Sequence, residues 1–326
     1  MNLKSFCIGL LMLFSFATAW AGDQTTPTLL GMDVSTPTLS CFSALPTSDD
    51  KFSRQIVTLV KENHLDEHVT TDSNPDNVEA WGSVCVVDLS DISKPRVGGW
   101  EMENFVYPAS TYKMYVMGEA VRQACVGERS LDDMTTVVGL NVRDDDRLST
   151  GDVVSLAEVL RLMCTYSDNT AANVAIDTVD RRKASALLHA MGCFGSEVTR
   201  KYLPRSREPE EYRKIRSTVS SALHFATFLW ATETGAIGGG RGRGLIKGFL
   251  GTNVQNKTRF RAGLPESATI YSKTGEWNTF TTEAAIVEDG PVKYIMVVMT
   301  VQPISVAAPR MAAFARGVHE LLSARR

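Results

Sequence analysis

Three short polar motifs follow one another along this chain: Ser110-Thr111-Tyr112-Lys113, then Ser167-Asp168-Asn169, then Lys273-Thr274-Gly275. A Ser-x-x-Lys match arises about once by chance in a chain of this length, and a specified tripeptide on the order of once in twenty such chains. All three in sequence make coincidence a poor explanation. Together they supply a nucleophile, a base, a proton shuttle and an anion clamp, which constrains the chain to a fold that can gather them.

Each motif carries its own chemistry. Ser110 opens a run to Cys125 with Met114, Met117, Ala120 and Val121 at roughly helical spacing. A serine in the first helical turn has unpaired backbone N–H groups beside it, ready to hold an oxyanion. Lys113, three residues on, projects to the same face. An ammonium cannot accept a proton, so a base at Lys113 requires a depressed pKa. Burial and a nearby Lys273 would both push it that way. The bland alternative for Ser110 is an ordinary helix cap.

Ser167 and Asn169 fall between the apolar helical run Val153–Met163 and a second run beginning near Thr170. That places them on a link between two helices, where Ser167 could pass a proton to a leaving nitrogen and Asn169 could hold a substrate carbonyl. Asp168 is expected to tie the link through backbone hydrogen bonds. Lys273-Thr274-Gly275 closes a β-rich stretch, and Gly275 would allow close backbone approach.

The trio is the signature of class A β-lactamases and penicillin-binding proteins, and the chain resembles a class A β-lactamase over nearly everything after its N-terminal leader. Phe105-Val106-Tyr107-Pro108-Ala109, Asn169-Thr170-Ala171-Ala172-Asn173 and Arg259-Phe260-Arg261-Ala262-Gly263-Leu264-Pro265 extend the likeness. The resemblance implies a mixed α/β (α+β) fold of the β-lactamase/transpeptidase type. In it an antiparallel sheet is flanked by terminal helices, and an all-helical subdomain packs on the other side. It implies a serine hydrolase that opens β-lactams through an acyl-enzyme on Ser110, with Lys113 and Ser167 as proton carriers. Asn169, Lys273, Thr274, Gly275 and the backbone of Glu276 are then the substrate-binding set, and no cofactor or metal is implied. Relatives usually carry a small residue and then Gly where Glu276 and Trp277 stand, so two bulky side chains flank the pocket here. Many relatives hold the substrate carboxylate with an arginine at the position of Glu283. A subset uses one at the position of Arg259, and a guanidinium suits a carboxylate bidentately.

Deacylation is where the chain departs most from this pattern. The family places a glutamate on a loop after the second motif, in a Glu-x-x-Leu-Asn setting, to activate water. Here Arg207-Glu208-Pro209-Glu210-Glu211-Tyr212 echoes it, with Glu211 and Tyr212 where Leu and Asn are expected. Glu208 is taken as the candidate base, against a solvated acidic loop. Two rivals therefore stay open: a D-Ala-D-Ala carboxypeptidase or penicillin-binding enzyme with slow deacylation, and a β-lactam sensor domain.

Residues 1–21 read as a secretory signal, with Lys4, an apolar run and Ala19-Trp20-Ala21 as cleavage site. A periplasmic or secreted, monomeric enzyme is expected, with no membrane span after signal removal. Residues 22–50, rich in Thr, Pro, Ser and Asp, look like a flexible leader. Residues 51–326 form one catalytic domain, with a helical lobe of about 107–245 inserted in a sheet lobe. The net charge of −3 gives no footprint for nucleic acid. Cys41, Cys85, Cys125, Cys164 and Cys193 remain in the mature chain, an odd number with no assignable pairing. Three features are set aside: the Gly238–Gly244 run as a flexible connector, His64 and His68 as a metal pair, and Asp144-Asp145-Asp146 as a solvated loop.

Overall fold

The computed structural model describes residues 30–31, 34–68, 81–143 and 146–324; the expected signal segment lies outside them. Five antiparallel strands form the main sheet in the order β2-β1-β7-β6-β5: β1 (Gly82–Asp88), β2 (Arg96–Trp100), β5 (Thr269–Trp277), β6 (Phe280–Asp289) and β7 (Val292–Thr300). The two N-terminal strands and the three C-terminal ones are separated in sequence by the helical lobe. The central strands are buried on both faces, and their period-2 alternation divides them between two cores. Val84, Val86, Met296 and Val298 point to one side. There they meet Phe52 and Ile56 of α1 (Asp50–Glu62) and Met311, Phe314 and Val318 of α9 (Ile304–Ser323). Cys85, Val87, Ile295 and Val297 point the other way, into the larger core shared with the helical lobe.

That lobe comprises α2 (Lys113–Cys125), a small sheet of β3 (Met134–Thr136) and β4 (Val153–Ser155), α3 (Leu156–Thr165), α4 (Asn169–Val179), α5 (Arg181–Ala190), α6 (Ala222–Glu233) and α7 (Gly239–Leu250). The short α8 (Phe260–Gly263) leads back to the sheet. Helix α2 runs through the middle and is buried along almost its whole length, its polar Lys113, Glu119 and Gln123 included. Its glycine, Gly118, lies so close to Phe228 that a Cβ would stand 2.4 Å from the ring.

Several expectations change on contact with the fold. The Gly238–Gly244 run is not a flexible connector: α7 begins at Gly239 after Gly238 turns left-handed (φ 76°). A Cβ on Gly242 would meet the Ile237 carbonyl at 1.8 Å, so close packing selects glycine despite its helix cost of about 1 kcal/mol per residue. The closing helix α9 starts at Ile304 and carries Pro309 inside it. Residues 34–49 adopt no regular element, yet Leu39, Phe42 and Leu45 pack on the large core. Trp230 Nε1 also donates to the Ser43 carbonyl at 2.8 Å. This part of the leader is therefore a docked strap. Of the acidic run, Asp144 and Asp145 lie outside the described residues. Asp146 is a helix-terminus partner, accepting from Thr170 N and Thr170 Oγ1 at 2.7 Å each. All five described cysteines are unpaired, and burial pushes the thiols of Cys85, Cys164 and Cys193 up to about 12.

Candidate active site

Ser110 lies in a 3₁₀ turn, Ala109–Tyr112, that feeds directly into α2. The turn is pinned to the sheet from behind. Thr111 Oγ1 and Thr282 Oγ1 are 2.6 Å apart, and Thr282 Oγ1 donates to the Pro108 carbonyl at 2.8 Å. Strand β5 approaches this turn so closely that a Cβ on Gly275 would stand 2.4 Å from Pro108 O and 2.6 Å from Thr111 Oγ1. Only glycine allows the third motif to meet the first. Ala109 (φ 46°) and Ser167 (φ 59°) both sit in left-handed backbone. Each costs about 1–2 kcal/mol for a residue with a Cβ, and such strain persists where surrounding structure over-determines it.

The second motif closes the triangle. Asp168 caps α4, accepting from Ala171 N at 2.7 Å with one oxygen and from Arg147 N at 2.8 Å with the other. Fixing the link this way aims Ser167 and Asn169 at α2. Lys113 Nζ donates to Ser167 O (2.5 Å), Ser167 Oγ (3.2 Å) and Asn169 Oδ1 (2.8 Å). Lys273 Nζ donates to the same Ser167 hydroxyl at 2.9 Å and to Thr274 O at 2.7 Å. A hydroxyl oxygen has two acceptor lone pairs. Two lysine donors occupy both, so the Ser167 proton is directed away from the lysines.

Both lysines are fully buried, and their hydrogen bonds go to neutral oxygens. Burial and the charge of Lys273 hold the Lys113 ammonium well below the ordinary lysine range, against the opposing pull of Asp168 and Asp146. Burial brings Lys273 down to about 7, with Arg259 pushing the same way and Cys164 and Glu283 opposing. These are the perturbations by which an amine becomes a proton acceptor near neutral pH.

Tyr202 is the residue that sequence reading missed. Its ring covers the Lys113 amine at 4.2 Å and stacks on Tyr112 at 5.0 Å. Its hydroxyl reaches Ala109 O at 3.4 Å and interacts with the Ser110 side chain. Its backbone N–H is tied to Asn173 Oδ1 at 2.7 Å. Burial raises the phenol well above its ordinary range, so it stays protonated. A single tyrosine in a polar loop has no periodicity to announce it. Tyr202, Asn169 and Trp277 line a cavity of about 380 Å³ beside the serine turn.

Glu208 stands elsewhere in the electrostatic plan. It is 1% exposed, and both of its oxygens are engaged. Oε1 accepts from Lys201 N at 2.6 Å and lies 3.4 Å from Arg200 Nε, while Oε2 accepts from Arg181 at 3.1 Å. These contacts tie the expected water-activating carboxylate into the 200–213 loop. Neighbouring Glu210 and Glu211 begin a short exposed turn. Arg259 is buried against the strand carrying the third motif, with NH1 donating to Gly275 O and Thr282 O at 3.0 Å each and NH2 to Glu276 Oε2 at 2.6 Å. Glu283 lies buried beside it, pushed up to about 7 by burial against the pull of Arg259.

A sheet with terminal helices on one face, a helical lobe on the other and a serine-lysine cluster between them defines a serine hydrolase fold of the β-lactamase and transpeptidase kind. Residues 71–319 match the model of the β-lactamase enzyme family, and the chain belongs to that family. Among solved structures it is similar to PBP-A (19% identity, TM-score 0.69, 86% of this chain and 100% of that one). It is similar as well to a β-lactamase from Chitinophaga pinensis (16%, 0.69, 85% and 100%). An ancestral class A β-lactamase matches at 20% identity and a TM-score of 0.67, over 83% of this chain and 99% of that one. At these identities the likeness establishes the fold. No curated protein matches the chain.

Proposed function

We propose that this chain is an exported serine enzyme that is acylated on Ser110 by β-lactams, and by the cell-wall peptide amides of the same chemical class, and that it releases the acyl group slowly. The observation carrying the reading is the pair of buried lysines meeting on one serine hydroxyl. Lys113, its ammonium form disfavoured by burial and by the charge of Lys273, takes the Ser110 proton as the hydroxyl attacks the carbonyl. The backbone N–H groups of Ser110 and Glu276 receive the oxyanion. Asn169 and Thr274 orient the donor. Ser167 then gives its proton to the leaving nitrogen as the C–N bond breaks, and recovers one from the lysine pair. The product is an ester on Ser110 and an amine, released from a peptide donor and still tethered to the acyl group of an opened β-lactam.

Slow release rests on a second observation. Hydrolysing that ester takes a group to activate water, and efficient general-base help is worth about 10²–10⁴-fold. Glu208 is bound to two guanidiniums and a backbone N–H, and the aromatic face of Tyr202 covers Lys113. This favours the penicillin-binding reading over rapid β-lactam hydrolysis. The test is intact-mass spectrometry during a penicillin chase, with Ser110→Ala as control. A one-to-one adduct that long outlasts its formation is expected, and none in the variant. Sustained nitrocefin turnover with no accumulating adduct would instead establish an efficient β-lactamase with its water activated by another group.

A further inference from the structure

Arg259 is the residue that would grip a carboxylate on the acyl donor, yet its outward edge is already taken. Arg259 is 3% exposed, and its guanidinium is held from behind. NH1 bridges the carbonyls of Gly275 and Thr282, which face each other across β5 and β6. Rotation would break both bonds, so the plane is fixed; Nε is buried with no hydrogen-bond partner, and NH2 carries the contact to Glu276. The Glu276 carboxylate meets it at 2.6 Å, while the Glu276 side chain is 54% exposed. The partner of the buried arginine is thus supplied by the chain itself, from the residue directly after Gly275.

A carboxylate arriving with a substrate meets one of two situations. It must displace Glu276 from a charge-assisted hydrogen bond, among the stronger polar contacts a protein makes. Otherwise it must lie beside a like charge, which is repulsive at such range. Glu283, buried on the inner side of Arg259, adds no positive charge to offset this. Lys273 and Lys113 are the lysines of the same site, and their hydrogen bonds are directed to Ser167, Asn169 and Thr274. An acyl donor whose corresponding group is uncharged meets neither obstacle.

We infer that Glu276 is a specificity-determining residue, its carboxylate standing in for a substrate carboxylate on Arg259 and turning the site toward acyl donors that are uncharged beside the scissile amide. The inference rests on acylation at Ser110. It is tested by labelling Ser110 with a fluorescent penicillin and with its methyl ester, and comparing second-order rate constants in wild type and Glu276→Gln by intact mass. The Glu276 side chain is 54% exposed, and glutamine keeps its length and an acceptor oxygen for the buried Arg259 NH2. The wild type should react with the ester at least as fast as with the acid, and the acid-to-ester ratio should rise about tenfold or more in Glu276→Gln, as expected when a like charge is removed from a charge-assisted contact. An acid preference of that size in wild type that the substitution leaves unchanged overturns the assignment. Absence of labelling by either compound overturns the acylation reading and this inference with it.

Discussion

Two buried ionic clusters lie close together in the helical lobe, and they are built on opposite principles. Around Glu208, a carboxylate is surrounded by Arg181, Arg200 and the Lys201 N–H. Around Ser167, two lysines converge on a neutral hydroxyl. Helix α2 repeats the contrast along its own length: buried Glu119 receives the Arg122 guanidinium at 2.7 Å, whereas buried Lys113 meets neutral oxygens and a tyrosine ring. A compensated buried charge anchors structure, and removing its partner is what destabilises. An uncompensated buried amine relieves its burial by giving up its proton, which makes it a base. On the proposed function, reactivity is placed where compensation is withheld.

The comparison can be broken by substitution. Lys113→Ala should slow acylation of Ser110 by about 10²–10⁴-fold, the usual range for a lost general base. Stopped-flow labelling measures it, and an unchanged rate would move the base to another residue. Glu208→Gln should act on stability rather than on release. Removing the charge leaves Arg181 and Arg200 without their buried partner and should lower unfolding free energy by about 3 kcal/mol, toward the lower end for broken buried pairs. Urea unfolding reads the first effect, and the adduct lifetime reads the second. A prolonged lifetime at unaltered stability would return Glu208 to a role in deacylation.

The smallest expected effect is in the pH profile. Lys273, with a folded value of about 7, loses its charge as pH rises through neutrality. If that charge orients Ser167, acylation should fall above about pH 7, approaching roughly tenfold per unit at its steepest. Lys273→Arg, which keeps its charge at any accessible pH, should remove that limb. A limb that persists in the variant belongs to another group.

Much of this site can be read from the chain because the motifs are local. Ser110-Thr111-Tyr112-Lys113 places two functional groups on one turn, and Ser167-Asp168-Asn169 combines a cap with the groups it aims. The sheet strands are readable for a related reason. Continuous apolar runs such as Val84 to Val87 and Tyr294 to Met299 mark strands buried on both faces, and the fold decides which core each side chain enters. The Gly-rich run misleads because glycine carries no signal for what packs against it. Only the approach of Ile237 O and Cys125 makes it a helix.

By itself, the sequence determined which candidate groups stand in the three motifs, their order and the apolar runs that become buried strands, since each is set by neighbours within a few residues. Tertiary structure alone decided what each charge would do. Glu208 and Lys113 are both buried ionisable residues. One is surrounded by Arg181, Arg200 and the Lys201 N–H, and the other is roofed by Tyr202, a residue 89 positions away in the chain. Compensation of a buried charge is a through-space property, and Glu276 becomes the partner of Arg259 only because β5 and the loop before α8 meet in the folded chain.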